Sequence, residues 1–272
     1  MSEAANQSSR HDAWQAGDAY EGYMGRWSRR IAPQFLDLLA LPRELHWLEI
    51  GCGTGALSAA ILARSDPESL IAIDPSEGFL AKARASITDQ RADFRQGDAQ
   101  AIDVETASRD AAVSALTLNF VPDRAKALSE MKRVTRAGGT VAFYVWDYPG
   151  GGLEFLRTFW TNAEALDPKG VELAEVRRFP FCTPERLTVL ATEAGLSDVT
   201  CEAVVTPTVF SDFDDYWRPF TQGAGPAPGY VASLAPQARE RLRERLEASL
   251  PREADGSIAL QARAWAVRSK VA

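Results

Sequence analysis

Residues 46–56 read His46-Trp47-Leu48-Glu49-Ile50-Gly51-Cys52-Gly53-Thr54-Gly55-Ala56, and this stretch decides how the chain around it folds. A short apolar run stops at glycines, and ALSAAILAR (56–64) follows at once with apolar residues at helical spacing. That is strand, tight turn, helix. Glycines in such a turn tolerate positive φ and let backbone N–H groups come close to a ligand, while the helix N-terminus adds positive potential. Gly51-x-Gly53-x-x-Ala56 meets the loose dinucleotide fingerprint, so the turn by itself does not separate a nicotinamide cofactor from another adenosine cofactor. A bare turn that binds nothing is the competing reading.

Working outward, the same alternation repeats. SLIAID (69–74) leads to a helix over EGFLAKARASI (77–87), then ADFRQGDA (92–99) and the apolar stretch AAVSALTLNF (111–120). ALSEMKRVT (127–135) is helical, Gly138-Gly139 breaks it, and TVAFYVWDY (140–148) is the next strand. Strands separated by helices mean βαβ units and a mostly parallel sheet. Upstream, residues 1–12 read as a loose tail; Trp14, Tyr20, Tyr23, Met24, Trp27, Ile31, Phe35, Leu36 and Leu39 predict two helices joined near Gly25. Downstream, 153–180 is a helical excursion, and 183–196 is a helix with Thr183 as N-cap and Gly195 as C-cap. Residues 197–210 and 257–271 read as two late strands, a hairpin-like pair finishing the sheet around a second excursion at 211–256. In that excursion 238–250 is an amphipathic surface helix, with Leu242, Leu246 and Leu250 on one face. The expectation is one domain over 13–272, with N-terminal helices at 13–40, a core at 45–148 and two insertions, and no independent second core.

Composition narrows the function. The 272 residues carry 37 acidic and 30 basic side chains, a formal charge of −7, and are 46% hydrophobic. A chain like this buries a large core, and disorder and small disulfide scaffolds are excluded. The acidic balance argues against gripping phosphate backbones over a broad surface. Three cysteines, Cys52, Cys182 and Cys201, without close spacing draw neither a disulfide framework nor a metal knuckle. With only His11 and His46, no metal site is expected and a Ser-His-Asp hydrolase is poorly served. His46 precedes the first strand, at the wrong end of the sheet for chemistry. The polar N-terminus and the lack of a long apolar run point to a cytoplasmic protein without a membrane partner.

Two aspartates sharpen the glycine turn. Asp74 lies nineteen residues after Gly55 at the end of the next strand, where a carboxylate accepts both hydroxyls of a ribose; capping the helix near Ser76 is the other reading. Asp98, in Gly97-Asp98-Ala99, again follows a strand. An acid there has no place in the nicotinamide fingerprint and suits a donor such as the adenine amino group. With Glu49-x-Gly51-x-Gly53-x-Gly55, Asp74 and Asp98-Ala99 in this order, the sequence resembles the class I S-adenosylmethionine-dependent methyltransferases, particularly the small-molecule group called type 11. The resemblance covers roughly residues 13–148 by motif and the closing strands by pattern.

It implies an α/β fold: a Rossmann-like, doubly wound, mostly parallel seven-stranded sheet with helices on both faces and a helical cap. It implies S-adenosylmethionine as cofactor and S-adenosylhomocysteine as product. Gly51, Cys52, Gly53 and Gly55 would pack against the methionine part, and Glu49 would order the loop and reach the aminocarboxylate. Asp74 would hold the ribose, Pro75 and Ser76 would flank the adenine, Asp98 would take its amino group, and Ala99 would add a backbone N–H. Asn119 matches the position whose backbone meets the methionine ammonium. In related enzymes an N-terminal helix lies over the cofactor, which brings in Tyr20, Tyr23 and Arg26, the last as a partner for the cofactor carboxylate. Packing of Tyr23 and Trp27 on the sheet is the bland alternative.

Methyl transfer from a sulfonium is an in-line displacement that supplies its own leaving group, so an obvious catalytic residue is not required. Tyr20, Tyr23 and Asp147 are the side chains named for that role. Asn119-Phe120-Val121-Pro122 departs from the Asn-Pro-Pro-aromatic pattern of relatives that methylate nucleic-acid bases or a glutamine amide, which with the −7 charge favours a small-molecule acceptor over nucleic acid. Phe120, Tyr148, Phe159, Tyr216, Trp217 and Phe220 would wall its pocket; a satellite core under a long connection is the rival reading. The alternatives in function are an NAD-dependent oxidoreductase, for which no downstream hydride-site constellation is visible, and a catalytically silent partner protein that still binds the cofactor. A homodimer is left open.

Overall fold

In the computed structural model residues 21–168, 170–222 and 225–272 are described, the side chains of residues 170 and 171 excepted. Seven strands, β1 (His46–Ile50), β2 (Ser69–Asp74), β3 (Ala92–Gln96), β4 (Arg109–Ala115), β5 (Thr135–Trp146), β6 (Ser197–Phe210) and β7 (Ile258–Lys270), form one sheet in the order β3-β2-β1-β4-β5-β7-β6. The first five pair in parallel, with Leu48 opposite Ile71 on one side and Ala112 on the other. β7 runs antiparallel to β5, Phe143 opposite Val267. The order reverses between β1 and β4, which places the switch point of the doubly wound sheet beside the glycine turn.

Burial explains why these strands were readable. β1, β2 and β4 are covered on both faces and show continuous apolar runs, Leu70-Ile71-Ala72-Ile73 for instance, as parallel strands do. β3 stands at an edge and buries only Phe94. The helices are α1 (Arg26–Leu39), α2 (Ala56–Arg64), α3 (Glu77–Ser86), α4 (Arg124–Val134), α5 (Glu154–Leu166), the single turn α6 (Glu175–Arg178), α7 (Pro184–Glu193), α8 (Phe213–Gln222), α9 (Pro226–Ser233) and α10 (Pro236–Ser249). Thr183 caps α7 by accepting from the Arg186 N–H, and Gly195 sits beyond its end at φ 76°.

One expected boundary, the start of β5, changes. Of the two helices expected to meet near Gly25, the second is α1, entered through a wide π-type turn, Glu21–Gly25, and the part of the first over 13–20 lies outside the described residues. β5 starts at Thr135 rather than Thr140; a register irregularity between Arg109 and Ala111 on its partner, with Gly138 at φ 74°, lets the glycine pair stay in the strand. The chain groups into two compact units.

The first unit comprises residues up to 27, 148–180 and 205–263. Its centre is a set of rings contributed by both insertions: Phe159 stacks on Phe220 at 4.4 Å, Tyr23 meets Phe220 at 5.5 Å, and Phe210 meets Tyr216 at 5.2 Å. The Tyr216 hydroxyl donates to the Phe155 carbonyl at 2.8 Å. Leu242, Leu246 and Leu250 of the charged helix segment are buried. The second unit, residues 28–147, 181–204 and 264–272, contains β1 to β5 and the glycine turn. Nothing in single-sequence periodicity signals that rings 60 residues apart share a core.

Candidate functional site

Everything the motifs select in the second unit lies where β1 to β4 end. The turn after β1 is knitted to its neighbours: the N–H groups of Gly51 and Cys52 donate to the Ile73 carbonyl at 2.7 and 3.0 Å, and Thr117 Oγ donates to the Gly51 carbonyl at 2.9 Å. Gly51, Gly53 and Gly55 all have positive φ, at 67°, 54° and 88°. Their surroundings differ. A Cβ on Gly51 would run into Thr117 at 2.1 Å and one on Gly55 into Ile87 at 2.7 Å, whereas one on Gly53 would meet nothing within 4 Å. Gly51 and Gly55 are therefore fixed by packing against protein, and Gly53 presents bare backbone. Gly55 is the N-cap of α2 and has no side chain with which to bond its first N–H groups.

Asp74 is buried at the end of β2. Its Oδ2 accepts from the Gly53 N–H at 2.9 Å and its Oδ1 from the Ser76 N–H at 2.8 Å. Burial raises its pKa, and these two donors pull the other way. Ser76, not Asp74, caps α3 through Phe79 N–H, so the carboxylate is free of that duty and keeps lone pairs for further donors. Pro75 is exposed, its carbonyl accepting from Gln96 Nε2 at 3.0 Å. Asp98 follows β3 on the surface; the Gln100 backbone N–H at 2.8 Å and the Gln100 side chain lower its pKa and orient it, with Ala99 half-buried beside it.

Glu49 is the most constrained group of the site. It is 1% exposed, its Oε2 accepts from Ser58 Oγ, and its Oε1 has no partner. Burial first, with the charge of Asp74 adding to it and Ser58 opposing, pushes its pKa up to about 8. Burial and the charges of Glu49 and Asp74 likewise push the Cys52 thiol well above its ordinary value, so Cys52 packs as a small hydrophobe. Asn119, just beyond β4, is buried with its Nδ2 unpartnered, and Phe120 is half-buried. An orphaned acceptor on Glu49, an orphaned donor on Asn119, a carboxylate with spare lone pairs and an unobstructed glycine form a donor set that fits a zwitterionic nucleoside such as S-adenosylmethionine. Asp147 is buried directly after β5.

In the first unit, Arg26 spans both carboxylate oxygens of Asp215 at 2.8 and 3.0 Å and lies over the Trp27 ring at 4.4 Å. Asp215 is therefore the anion the structure gives it. Tyr23 is 2% exposed with an unpartnered hydroxyl; burial first, then Glu175, Tyr148 and Tyr216, push its pKa well above the ordinary value, so it holds its proton at neutral pH. Tyr20 lies outside the described residues. Phe159, Tyr216 and Phe220 are core rings, and Trp217 stacks near Phe213 with 8% exposure. Their packing matches the satellite-core reading, in which a ring–ring cluster has already covered the surface a pocket would need. A cleft of about 410 Å³ does exist in this unit, lined among others by Tyr148, Leu153, Leu156, Trp160, Ala174 and Glu175. Glu175 is buried and accepts the Trp160 indole N–H at 2.7 Å, which fixes that ring as a wall. Sequence reading missed Glu175, because a single acid in a charged helical segment carries no signal of burial.

Comparison with known proteins agrees with this geometry. The profile described as a methyltransferase domain matches residues 48–143. Demethylmenaquinone methyltransferase of Roseiflexus castenholzii is 35% identical over 177 residues, 61% of this chain and 74% of that protein. Trans-aconitate 2-methyltransferase of Deinococcus radiodurans is 29% identical over 232 residues, covering 80% of this chain and 85% of that one. Among solved structures, Haemonchus contortus phosphoethanolamine N-methyltransferase 2, in complex with phosphomonomethylethanolamine and S-adenosylhomocysteine, shares the fold with TM-score 0.58 and 18% identity, over 93% of this chain and 56% of that one. The chain belongs to the class I S-adenosylmethionine-dependent methyltransferases. It is an enzyme of methyl transfer, and these relatives lend no support to a nicotinamide oxidoreductase or a silent partner.

Proposed function

We propose that the enzyme methylates a small organic acceptor of apolar character, with the cofactor held at the ends of β1 to β4. The observation that carries the cofactor assignment is the buried polar cluster there, in which Asp74 already organises the glycine turn and Glu49 keeps one oxygen unpartnered. In this reading Asp74 takes the ribose hydroxyls, and Asp98 with the Ala99 N–H takes the adenine edge between Pro75 and Ser76. Gly51, Cys52, Gly53 and Gly55 seat the methionine chain, and Glu49 and Asn119 serve its amino-acid end. S-adenosylmethionine supplies an electrophilic methyl and a neutral thioether leaving group. The protein's task is alignment and exclusion of water, an effect worth roughly 7–11 kcal/mol at its intramolecular limit.

The acceptor class is supported by the apolar lining of the first unit's cleft and by the quinone precursor named for the Roseiflexus relative. The departure of Asn119-Phe120-Val121-Pro122 from the base-methylating pattern and the acidic charge favour a small molecule over nucleic acid. Calorimetric titration with S-adenosylmethionine, S-adenosylhomocysteine and NADH tests the cofactor: the first two bind and the third does not. Absence of binding by both adenosyl compounds at millimolar concentration sinks the reading. A panel of phenols, amines and carboxylic acids, followed for methylated product, then identifies the nucleophile.

A further inference from the structure

We infer that cofactor uptake drives a proton off Glu49 into solvent, so that binding of S-adenosylmethionine and of its demethylated product is proton-coupled. The inference rests on the reading that the cofactor's amino-acid end meets Glu49. The geometry comes first: the carboxyl group is fully enclosed, one oxygen is engaged by Ser58 of α2, and the other has no partner. The neighbouring titratable groups are Asp74 from β2, whose charge opposes ionisation of Glu49, and the Cys52 thiol of the turn. Arg84 of α3 acts on Cys52 and is itself bonded to Glu77 and to the Phe94 carbonyl. Among the described residues, no cation is one of the groups that set the state of Glu49.

A carboxyl group in that setting keeps its proton at neutral pH, in line with a pKa raised to about 8. An α-ammonium brought against the orphaned Oε1 reverses the balance, because an opposite charge within hydrogen-bonding reach favours the ionised form. At pH 6.5 an α-amino group is itself still protonated, its ordinary value being about 7.7–8.0, so the released proton comes from the protein. Below about 8 the apparent affinity then rises with pH, approaching tenfold per unit, and the rise ends where Glu49 is already ionised and the ligand's own ammonium starts to lose its proton.

The test uses the full chain and S-adenosylhomocysteine at pH 6.5, titrated calorimetrically in buffers of different ionisation enthalpy. The expected result is release of close to one proton per cofactor bound, seen as a linear dependence of the observed enthalpy on that of the buffer. Glu49→Gln, which imitates the protonated side chain, binds without release. Binding with a buffer-independent enthalpy in the unaltered protein overturns the inference while leaving the cofactor assignment intact. Release that persists in E49Q overturns it too, by assigning the proton to a group other than Glu49. No binding at all overturns the cofactor assignment and this inference with it. Should E49Q fail to fold, infrared difference spectra of the unaltered protein, unlabelled and labelled with carboxyl-13C glutamate, decide the matter. Loss of a protonated glutamate carbonyl band on adding S-adenosylhomocysteine supports the inference, and an unchanged band overturns it.

Discussion

Gly51 and Gly53 share a left-handed backbone and differ in what lies beyond the missing Cβ. Gly51→Ala combines the cost of positive φ, about 1–2 kcal/mol, with a clash against Thr117 worth about 1–3 kcal/mol more, so chemical denaturation shows a large loss of stability. Gly53→Ala meets nothing and costs stability by about 1–2 kcal/mol from φ alone, yet it sets a methyl on the bare turn and weakens binding of S-adenosylhomocysteine in calorimetry. A Gly53→Ala variant that binds as tightly as the parent would remove the glycine turn from the cofactor site. Glu49 sets a pH dependence in the ligand-free protein. Its unfolded carboxyl ionises near 4.5 and its folded one near 8, so between these values the folded state holds the extra proton. Stability therefore falls as pH rises across that window, by at most about 1.4 kcal/mol per pH unit from this group, and E49Q flattens the slope in denaturation curves recorded at several pH values. At this scale the sequence marks positions well and chemical state poorly. Glycine spacing exposes the turn, but the protonation of Glu49 and the capture of Arg26 by Asp215, 189 residues away, depend on three-dimensional neighbours.

Among the elements, α7 and α8 carry separable contributions. Thr183→Ala removes the hydroxyl that accepts the Arg186 N–H and lowers stability by about 1 kcal/mol, without changing cofactor affinity. Tyr216→Phe deletes the donor to the Phe155 carbonyl inside the aromatic cluster and costs about 1–3 kcal/mol, because a buried acceptor loses its partner. Both values are read from denaturant midpoints, and a Tyr216→Phe protein as stable as the parent would mean that this hydrogen bond contributes nothing net. The strand–helix alternation from β1 to α4 is legible because buried parallel strands and amphipathic helices have different periods. The start of β5 is not, since Arg136-Ala137-Gly138-Gly139 looks like a turn and is tied in through the Arg136–Asp110 ion pair and backbone hydrogen bonds between the two glycines and Val271. The rings of the insertions are equally ambiguous: the same aromatic residues wall a cleft or fill a core, and only packing tells which.

For the molecule as a whole, the cofactor is a stabiliser of the unit that holds β1 to β5. S-adenosylhomocysteine at a hundred times its Kd adds about 2.7 kcal/mol to the unfolding free energy of that unit. At roughly 2–4 °C per kcal/mol for a unit of this size, scanning calorimetry shows the transition of that unit moving up by roughly 5–11 °C. An unmoved transition in the presence of measurable binding would place the cofactor elsewhere. Motifs recover the cofactor half of the molecule because backbone and carboxylate chemistry repeat in every protein that seats an adenosyl group this way. The division into two units escapes them because each unit is assembled from three separate stretches of chain.

The strand order has a consequence for synthesis. β6 leaves the ribosome before β7, yet in the finished sheet β7 lies between β5 and β6. A fourteen-residue strand is thus made whose only sheet neighbour among the described residues begins at Ile258, after three further helices. Until then both its edges are unpaired, the state in which strands recruit other chains. Pro207, placed mid-strand, has no N–H to offer such a partner, and on an edge strand that loss is tolerated in the native sheet.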